Sequence, residues 1–135
     1  VMLHNDSHKF ESNFINVDIN DSNSIMLSSL AGRRLGVWIA HGEGKFNFPY
    51  YKDKYNIAMS YSFSEYPGNP NGSDWNVAAI CSNDGRHLAM MPHIERAFLP
   101  WQWPYYPESR MNDEVSPWIE AFVNAFNWIK NKNNE

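Results

Sequence analysis

Hydrophobic and polar positions along this chain change places every few residues, so the pattern predicts mostly short strands. Phe14, Ile15, Val17 and Ile19 sit among polar residues from Ser12 to Asn20, which predicts a half-buried strand despite the adjacent Phe14 and Ile15. Ile25, Met26, Leu27 and Leu30 follow Asp21 and Ser22 and precede Gly32, the signature of a short capped helical turn. Leu35 to Ala40 is nearly all apolar and reads as a strand covered on both faces, as in a parallel or mixed α/β sheet. Phe46 and Phe48 alternate with Lys45 and Asn47 up to Pro49, and Ile57 to Tyr66 alternates loosely; both predict strands. Val77 to Cys81 and Leu88 to Met91 flank Asn83-Asp84-Gly85, a strong hairpin signal. Ser116-Pro117 places a capping residue before a proline suited to the first helical position. It opens a predicted helix from Pro117 to about Lys130 with Ile119, Phe122, Val123, Phe126 and Ile129 on one face.

Strands first and one helix last leave a sheet with little cover, so the pattern reads as half of a larger α/β domain. The abrupt start at Val1-Met2-Leu3-His4 points the same way. With 135 residues there is room for one structural unit, taken over 1–135, with a polar tail at 131–135 expected to fray. The net charge of −4 removes the basic stripe that charge-driven nucleic-acid binding needs. No apolar run approaches the ~18 residues of a membrane span. A lone cysteine, Cys81, excludes an internal disulfide and a Cys-rich zinc site, and it favours a reducing, cytoplasmic setting.

Several segments carry candidate chemistry. His93 and Glu95 lie two apart just past the strand that ends at Pro92. Both can project into one crevice, where a carboxylate on one ring nitrogen fixes the imidazole tautomer and leaves the other nitrogen to move a proton. A salt bridge in a surface loop is the competing reading. His41-Gly42-Glu43-Gly44 ends a buried strand, and its glycines allow a ligand close to backbone N–H groups that can hold a carboxylate; a plain turn competes. Asn69 to Ser73 reads as a turn rather than a ligand loop. His4 and His8 lack a convincing third metal ligand. Asn5, Asn20 and Asn71 each begin a glycosylation sequon, which an Asn-rich chain produces by chance. Cys81 lies mid-strand, whereas a nucleophilic thiol wants a sharp elbow or a helix N-terminus.

In order, Leu-Gly-Val-Trp-Ile-Ala-His-Gly-Glu-Gly (35–44), Tyr-Pro-Gly-Asn-Pro-Asn-Gly-Ser (66–73), Cys-Ser-Asn-Asp-Gly-Arg-His-Leu (81–88), Met-Met-Pro-His-Ile-Glu-Arg (90–96), Pro-Trp-Gln-Trp (100–103) and Ser-Pro-Trp (116–118) resemble the C-terminal glutaminase domain of the phosphoribosylformylglycinamidine synthase family. The resemblance implies a class I glutamine amidotransferase with a flavodoxin-like α/β fold and a Cys-His-Glu triad: here the C-terminal part of that domain, a mixed sheet with a C-terminal helix. It implies His93 as general base, Glu95 as its orienting partner, and Ala40, His41, Gly42 and Glu43 as the turn that binds glutamine. The family usually has proline between the His and the Glu, where this chain has Ile94. No Gly-x-Cys-x-Gly elbow is present, so the nucleophile is expected in a preceding portion and the isolated chain is expected to be inactive.

The same resemblance implies a cytoplasmic purine-biosynthesis ligase as parent, with ATP and Mg²⁺ in a separate synthetase domain, no cofactor or metal in this chain, and no nucleic-acid or membrane partner. The expected partners are glutamine, the N-terminal glutaminase half and the synthetase domain, together with self-association of the chain. Two alternatives stand beside it: another class I amidotransferase, or a carbohydrate-binding module stacking sugars on Trp101, Trp103, Tyr105 and Tyr106.

Overall fold

The structure is a computed structural model, and it describes residues 1–132. Seven strands precede one helix: β1 (Met2–Leu3), β2 (Glu11–Ile19), β3 (Arg34–His41), β4 (Lys45–Phe46), β5 (Asn56–Tyr61), β6 (Val77–Cys81), β7 (Leu88–Met90) and α1 (Ile119–Lys132). Five strands form one sheet in the order β3-β2-β5-β6-β7, while β1 and β4 pair separately. Every ladder among the described residues is antiparallel. The parallel neighbour suggested by the apolar run at Leu35–Ala40 is therefore not among them. That run takes its cover from side chains of other segments.

On β2 the alternation works as the sequence predicts. Ile15, Val17 and Ile19 are buried, Asn16 is exposed, and Asp18 is held at the rim by Arg34 Nε at 2.7 Å and by the Ser62 hydroxyl at 3.0 Å. Ile15 and Val17 pair with Val37 and Leu35 of β3. The core gathers these residues with Ile39, Met59, Tyr61, Leu27, Leu30, Ile94, Ala97, Trp118 and Ala121. Gly36 of β3 is a close-approach glycine: a Cβ there would stand 2.3 Å from Phe14 Cε1. The Phe14 ring meets Trp38 at 5.0 Å and Trp103 at 5.3 Å between centroids. The indole N–H groups that this packing buries all find carbonyls: Trp38 to Gln102 at 2.7 Å, Trp103 to Ala97 at 2.7 Å and Trp118 to Gly36 at 2.8 Å.

The turn over 25–30 tightens to a 3-10 helix at Ser28–Leu30. Its N-cap position is Leu27, with no side-chain cap, so neither Asp21 nor Ser22 caps it; the Leu27 N–H reaches Ser24 Oγ at 3.4 Å. The strand expected over 57–66 stops at Tyr61, and the Phe46–Phe48 strand keeps only Lys45–Phe46. Before α1, Ser116 and Pro117 form a tight lead-in. Ser116 Oγ accepts the Trp118 N–H at 3.3 Å, and the carbonyls of Ser116 and Pro117 accept from Ile119 and Glu120 at 3.1 Å.

The expected core face of α1 is not the one the fold uses. Trp118 and Ala121 are buried, and Asn124 Nδ2 donates to the Met26 carbonyl at 3.0 Å and to Ser29 Oγ at 2.7 Å. Phe122, Val123, Phe126 and Ile129 stay exposed, Phe126 to 65%. The helix approaches the 26–29 turn through a small residue and an amide, and the large apolar residues, spaced three and four apart, share another stripe. Lys132 still belongs to α1; of the tail expected to fray, 133–135 lie outside the described residues.

Candidate functional site

Past β7 the chain turns at Pro92 and returns to the sheet edge. The His93 N–H donates to the Trp38 carbonyl at 2.8 Å, an isolated antiparallel bridge that fastens His93 to β3. Ile94 opens the 3-10 turn Ile94–Arg96 and buries its side chain in the core. An apolar anchor between two polar neighbours leaves His93 half-buried and Glu95 exposed, with His93 Nδ1 2.7 Å from Glu95 Oε1. Ile94 at the usual proline position thus keeps both side chains together. A carboxylate accepts from Nδ1–H, so in the neutral ring Nε2 carries the lone pair and can take up a proton. Arg96 Nε, 3.8 Å from the same Oε1, adds positive charge at the outer side.

The second part of the site is the turn that ends β3. Gly42 and Glu43 line a cleft of about 460 Å³ with His4, His8, Lys9 and Phe10. Ala40 is half-buried on the strand, and the His41 side chain is buried. Burial holds the His41 pKa below its ordinary value, with the nearby charge of His93 adding to the lowering and Glu11 opposing it. The bridge to Trp38 joins His93 to the strand that carries His41, three residues further along. Gly44 must be glycine, because a Cβ there would stand 2.6 Å from the His41 ring.

A buried polar network behind this turn escaped the sequence reading. Asn5 and Asn71 are both fully buried, and Asn69 and Ser73 nearly so. Asn5 Nδ2 donates to the His41 carbonyl at 2.7 Å, and Asn5 Oδ1 accepts the Gly44 N–H at 3.1 Å. Asn71 Nδ2 donates to the Gly44 carbonyl at 2.7 Å and to the Tyr61 hydroxyl at 2.9 Å. The segment Asn69–Ser73 is therefore more than a plain surface turn, and Asn69, Pro70 and Gly72 also line a cleft of about 510 Å³ with Asp6, Lys9 and Tyr66. The sequons at Asn5 and Asn71 are inaccessible, and the Asn20 side chain is committed to the Ile57 carbonyl at 3.2 Å and Ser60 Oγ at 2.9 Å. The signal available in the sequence was the density of Asn and Ser in a segment with too few charges for a solvated loop.

Cys81 is buried on β6 with its thiol 3.6 Å from Asn23 Oδ1, and burial pushes its pKa up. His4 meets Glu43 at 3.6 Å, and among the described residues no three His, Cys, Asp or Glu side chains converge as a metal site. The proposed sugar-stacking row is divided: Trp101 and Tyr105 are exposed, while Trp103 packs on Phe14 and Tyr106 is half-buried against Trp103, 5.2 Å between centroids. Among the described residues no helix is long and apolar enough to cross a membrane.

A family model described as a CobB/CobQ-like glutamine amidotransferase domain matches residues 1–129. A probable phosphoribosylformylglycinamidine synthase, chloroplastic/mitochondrial, from Arabidopsis thaliana is 46% identical over 95% of this chain and 10% of its own length. Phosphoribosylformylglycinamidine synthases from Drosophila melanogaster and Homo sapiens are 41% and 40% identical, over 98% and 95% of this chain and 11% and 10% of their own. The chain thus spans about a tenth of the length of these relatives. A chain in the solved structure of PurLQS from Thermotoga maritima superposes with a TM-score of 0.68 at 22% identity, over 96% of this chain and 52% of that one, which shows a shared fold. The match over 1–129 shows that this chain belongs to the CobB/CobQ-like glutamine amidotransferase domain family.

Proposed function

We propose that this chain contributes the acid–base half of a glutaminase site within a phosphoribosylformylglycinamidine synthase. The observation that carries the reading is the His93–Glu95 pair, 2.7 Å apart and fastened to β3 near the His41–Gly44 turn. Glu95 accepts from Nδ1, so His93 Nε2 faces the chemistry. His93 Nε2 takes the proton of a cysteine thiol from the preceding part of the parent, and the resulting thiolate attacks the side-chain amide carbon of glutamine. As the C–N bond breaks, His93 gives the leaving nitrogen its proton and ammonia departs. Water then attacks the thioester, with His93 taking its proton, and glutamate and the free thiol are restored. Gly42 and Glu43 offer backbone N–H groups to the glutamine α-carboxylate.

The ammonia serves the ATP-dependent conversion of formylglycinamide ribonucleotide to its amidine in the synthetase portion, where ATP and Mg²⁺ bind. Glutamine, the preceding half of the glutaminase and that synthetase are the partners of this chain. The single free thiol supports a reducing, cytoplasmic setting. The test is glutamine hydrolysis by the full-length parent. His93→Ala should abolish it while activity with added ammonia persists; glutaminase activity surviving in that variant would overturn the reading.

A further inference from the structure

We propose that Asn71, with Asn5 opposite it, is a positioning residue for glutamine: the two amides clamp the His41–Gly44 turn so that its free backbone N–H groups are held ready for a carboxylate. This rests on the glutaminase reading above, and it adds residues from two distant segments to that site.

The turn contains two glycines, so the local chain has little stiffness of its own. Its order comes from bonds made by other segments. The His41 carbonyl accepts from Asn5 Nδ2 at 2.7 Å, the Gly42 carbonyl from the Asn5 N–H at 2.9 Å, and the Gly44 carbonyl from Asn71 Nδ2 at 2.7 Å. The Gly44 N–H is taken by Asn5 Oδ1 at 3.1 Å. Three of the four carbonyls of the turn, those of His41, Gly42 and Gly44, are thus tied inward. Among the described residues, the amides of Gly42 and Glu43 donate to none of the groups in this network. Their residues line the cleft beside Lys9. A turn with three carbonyls occupied and the N–H groups of Gly42 and Glu43 uncommitted suits an anion.

The orientation of both amides is set by donors and acceptors of fixed kind. Asn5 Oδ1 faces a backbone N–H, and its Nδ2 faces the carbonyls of His41 and, at 2.9 Å, Lys9. Asn71 Oδ1 accepts the Ser73 N–H at 3.0 Å and the Ser73 hydroxyl at 2.7 Å, so its Nδ2 faces Gly44, Tyr61 and His41. His41 is held between them, with Nδ1 3.1 Å from Asn5 Oδ1 and Nε2 3.5 Å from Asn71 Nδ2. The acceptor at Nδ1 selects the Nδ1–H tautomer of the neutral ring. The ring, packed against Gly44, acts as the wedge around which the turn closes.

The experiment uses the full-length enzyme and reads glutamine-driven and ammonia-driven synthesis separately. Asn71→Asp keeps the shape and the acceptor for Ser73, and it removes the donor to Gly44. It should raise the KM for glutamine on the order of tenfold or more, with a smaller change in kcat and ammonia-driven activity within about twofold of wild type. If Asn71→Asp fails to fold, Asn5→Asp reads the same clamp from the other side and should show the same split. A KM for glutamine within about twofold of wild type in a folded variant overturns the proposal, as does an equal loss of both activities in both variants, which marks a purely structural role. His93→Ala serves as the reference: if it abolishes glutamine use while Asn71→Asp leaves KM unmoved, this inference alone fails; if it does not, the glutaminase reading fails first.

Discussion

The Nδ1 atom of His93 lies 2.7 Å from Oε1 of Glu95, and the backbone N–H of the same histidine is bound to Trp38 at 2.8 Å. Ring and backbone are therefore fixed by different partners, which sets both the position and the tautomer of the imidazole. Glu95→Gln replaces the acceptor with an amide that can present either end to the ring and frees the tautomer. In the full-length parent, glutamine hydrolysis should fall by roughly 10²- to 10⁴-fold, with ammonia-driven synthesis unchanged. Steady-state assays with each nitrogen source check this, and a Glu95→Gln variant with wild-type glutaminase would remove Glu95 from the site.

Cys81 should be chemically silent. Burial pushes its thiol pKa up, so the protonated form dominates near neutral pH. Cys81→Ala should leave glutamine-driven activity within about twofold of wild type, since nothing in the proposed chemistry passes through it. A thiol-directed glutamine analogue should leave Cys81 unlabelled in mass spectra. Labelling that glutamine protects against would make it the nucleophile.

Two glycines separate backbone strain from steric clash. Gly32 and Gly72 both have positive φ, +82° and +76°. A Cβ on Gly32 meets nothing within 4 Å, whereas one on Gly72 would stand 1.9 Å from Asp6 Oδ2. Gly32→Ala should cost about 1 kcal/mol, the left-handed conformation alone. Gly72→Ala should cost clearly more, since Asp6 is also held by Lys45 at 2.7 Å. Denaturant unfolding of the two variants should rank them in that order; equal losses would show that the Asp6 side chain yields freely.

The His41 ring predicts an acid limb in stability. Burial depresses its folded pKa below the ordinary value of 6.5, so below pH 6.5 the unfolded chain binds a proton that the folded chain refuses. Stability from this group is thus full above that pH and declines as pH falls toward the folded pKa. Below that limb Asp18 should add a second decline: Arg34 holds its pKa under 3.8, so its contribution fades as pH drops through that region. Unfolding free energies across pH 4 to 8 should show the upper decline in wild type and lose it in His41→Gln.

The exposed stripe on α1 should make the 135-residue chain associate. Phe122, Val123, Phe126 and Ile129 present adjacent large apolar side chains to solvent, a feature that marks interaction surfaces. Sedimentation at micromolar concentration should show species larger than the monomer, and Phe126→Glu should shift them toward it. A wild-type chain that stays monomeric would place the association surface elsewhere or remove it.

Strand positions were legible because side-chain alternation is local: Val77–Cys81 and the Asp84-Gly85 turn follow from neighbouring residues alone, with Gly85 at φ +72°. His93 and Glu95 were legible for the same reason, since two residues flanking a buried Ile94 stay close wherever the segment lies. The helix existed in the sequence as a periodic pattern, but periodicity shows which residues share a face and not which face the fold selects. Trp118 reaches the Gly36 carbonyl and Asn124 the Met26 carbonyl only because the chain brings together segments 82 and 98 residues apart. The same holds for the clamp. Asn5, His41 and Asn71 are unremarkable polar residues in three separate stretches, and burial converts them into a connected set because an amide without water must find protein partners. The sequence by itself determined most of the local elements and the closeness of His93 and Glu95. Only the tertiary structure decided which polar residues are buried, because desolvation depends on what the rest of the chain places around them.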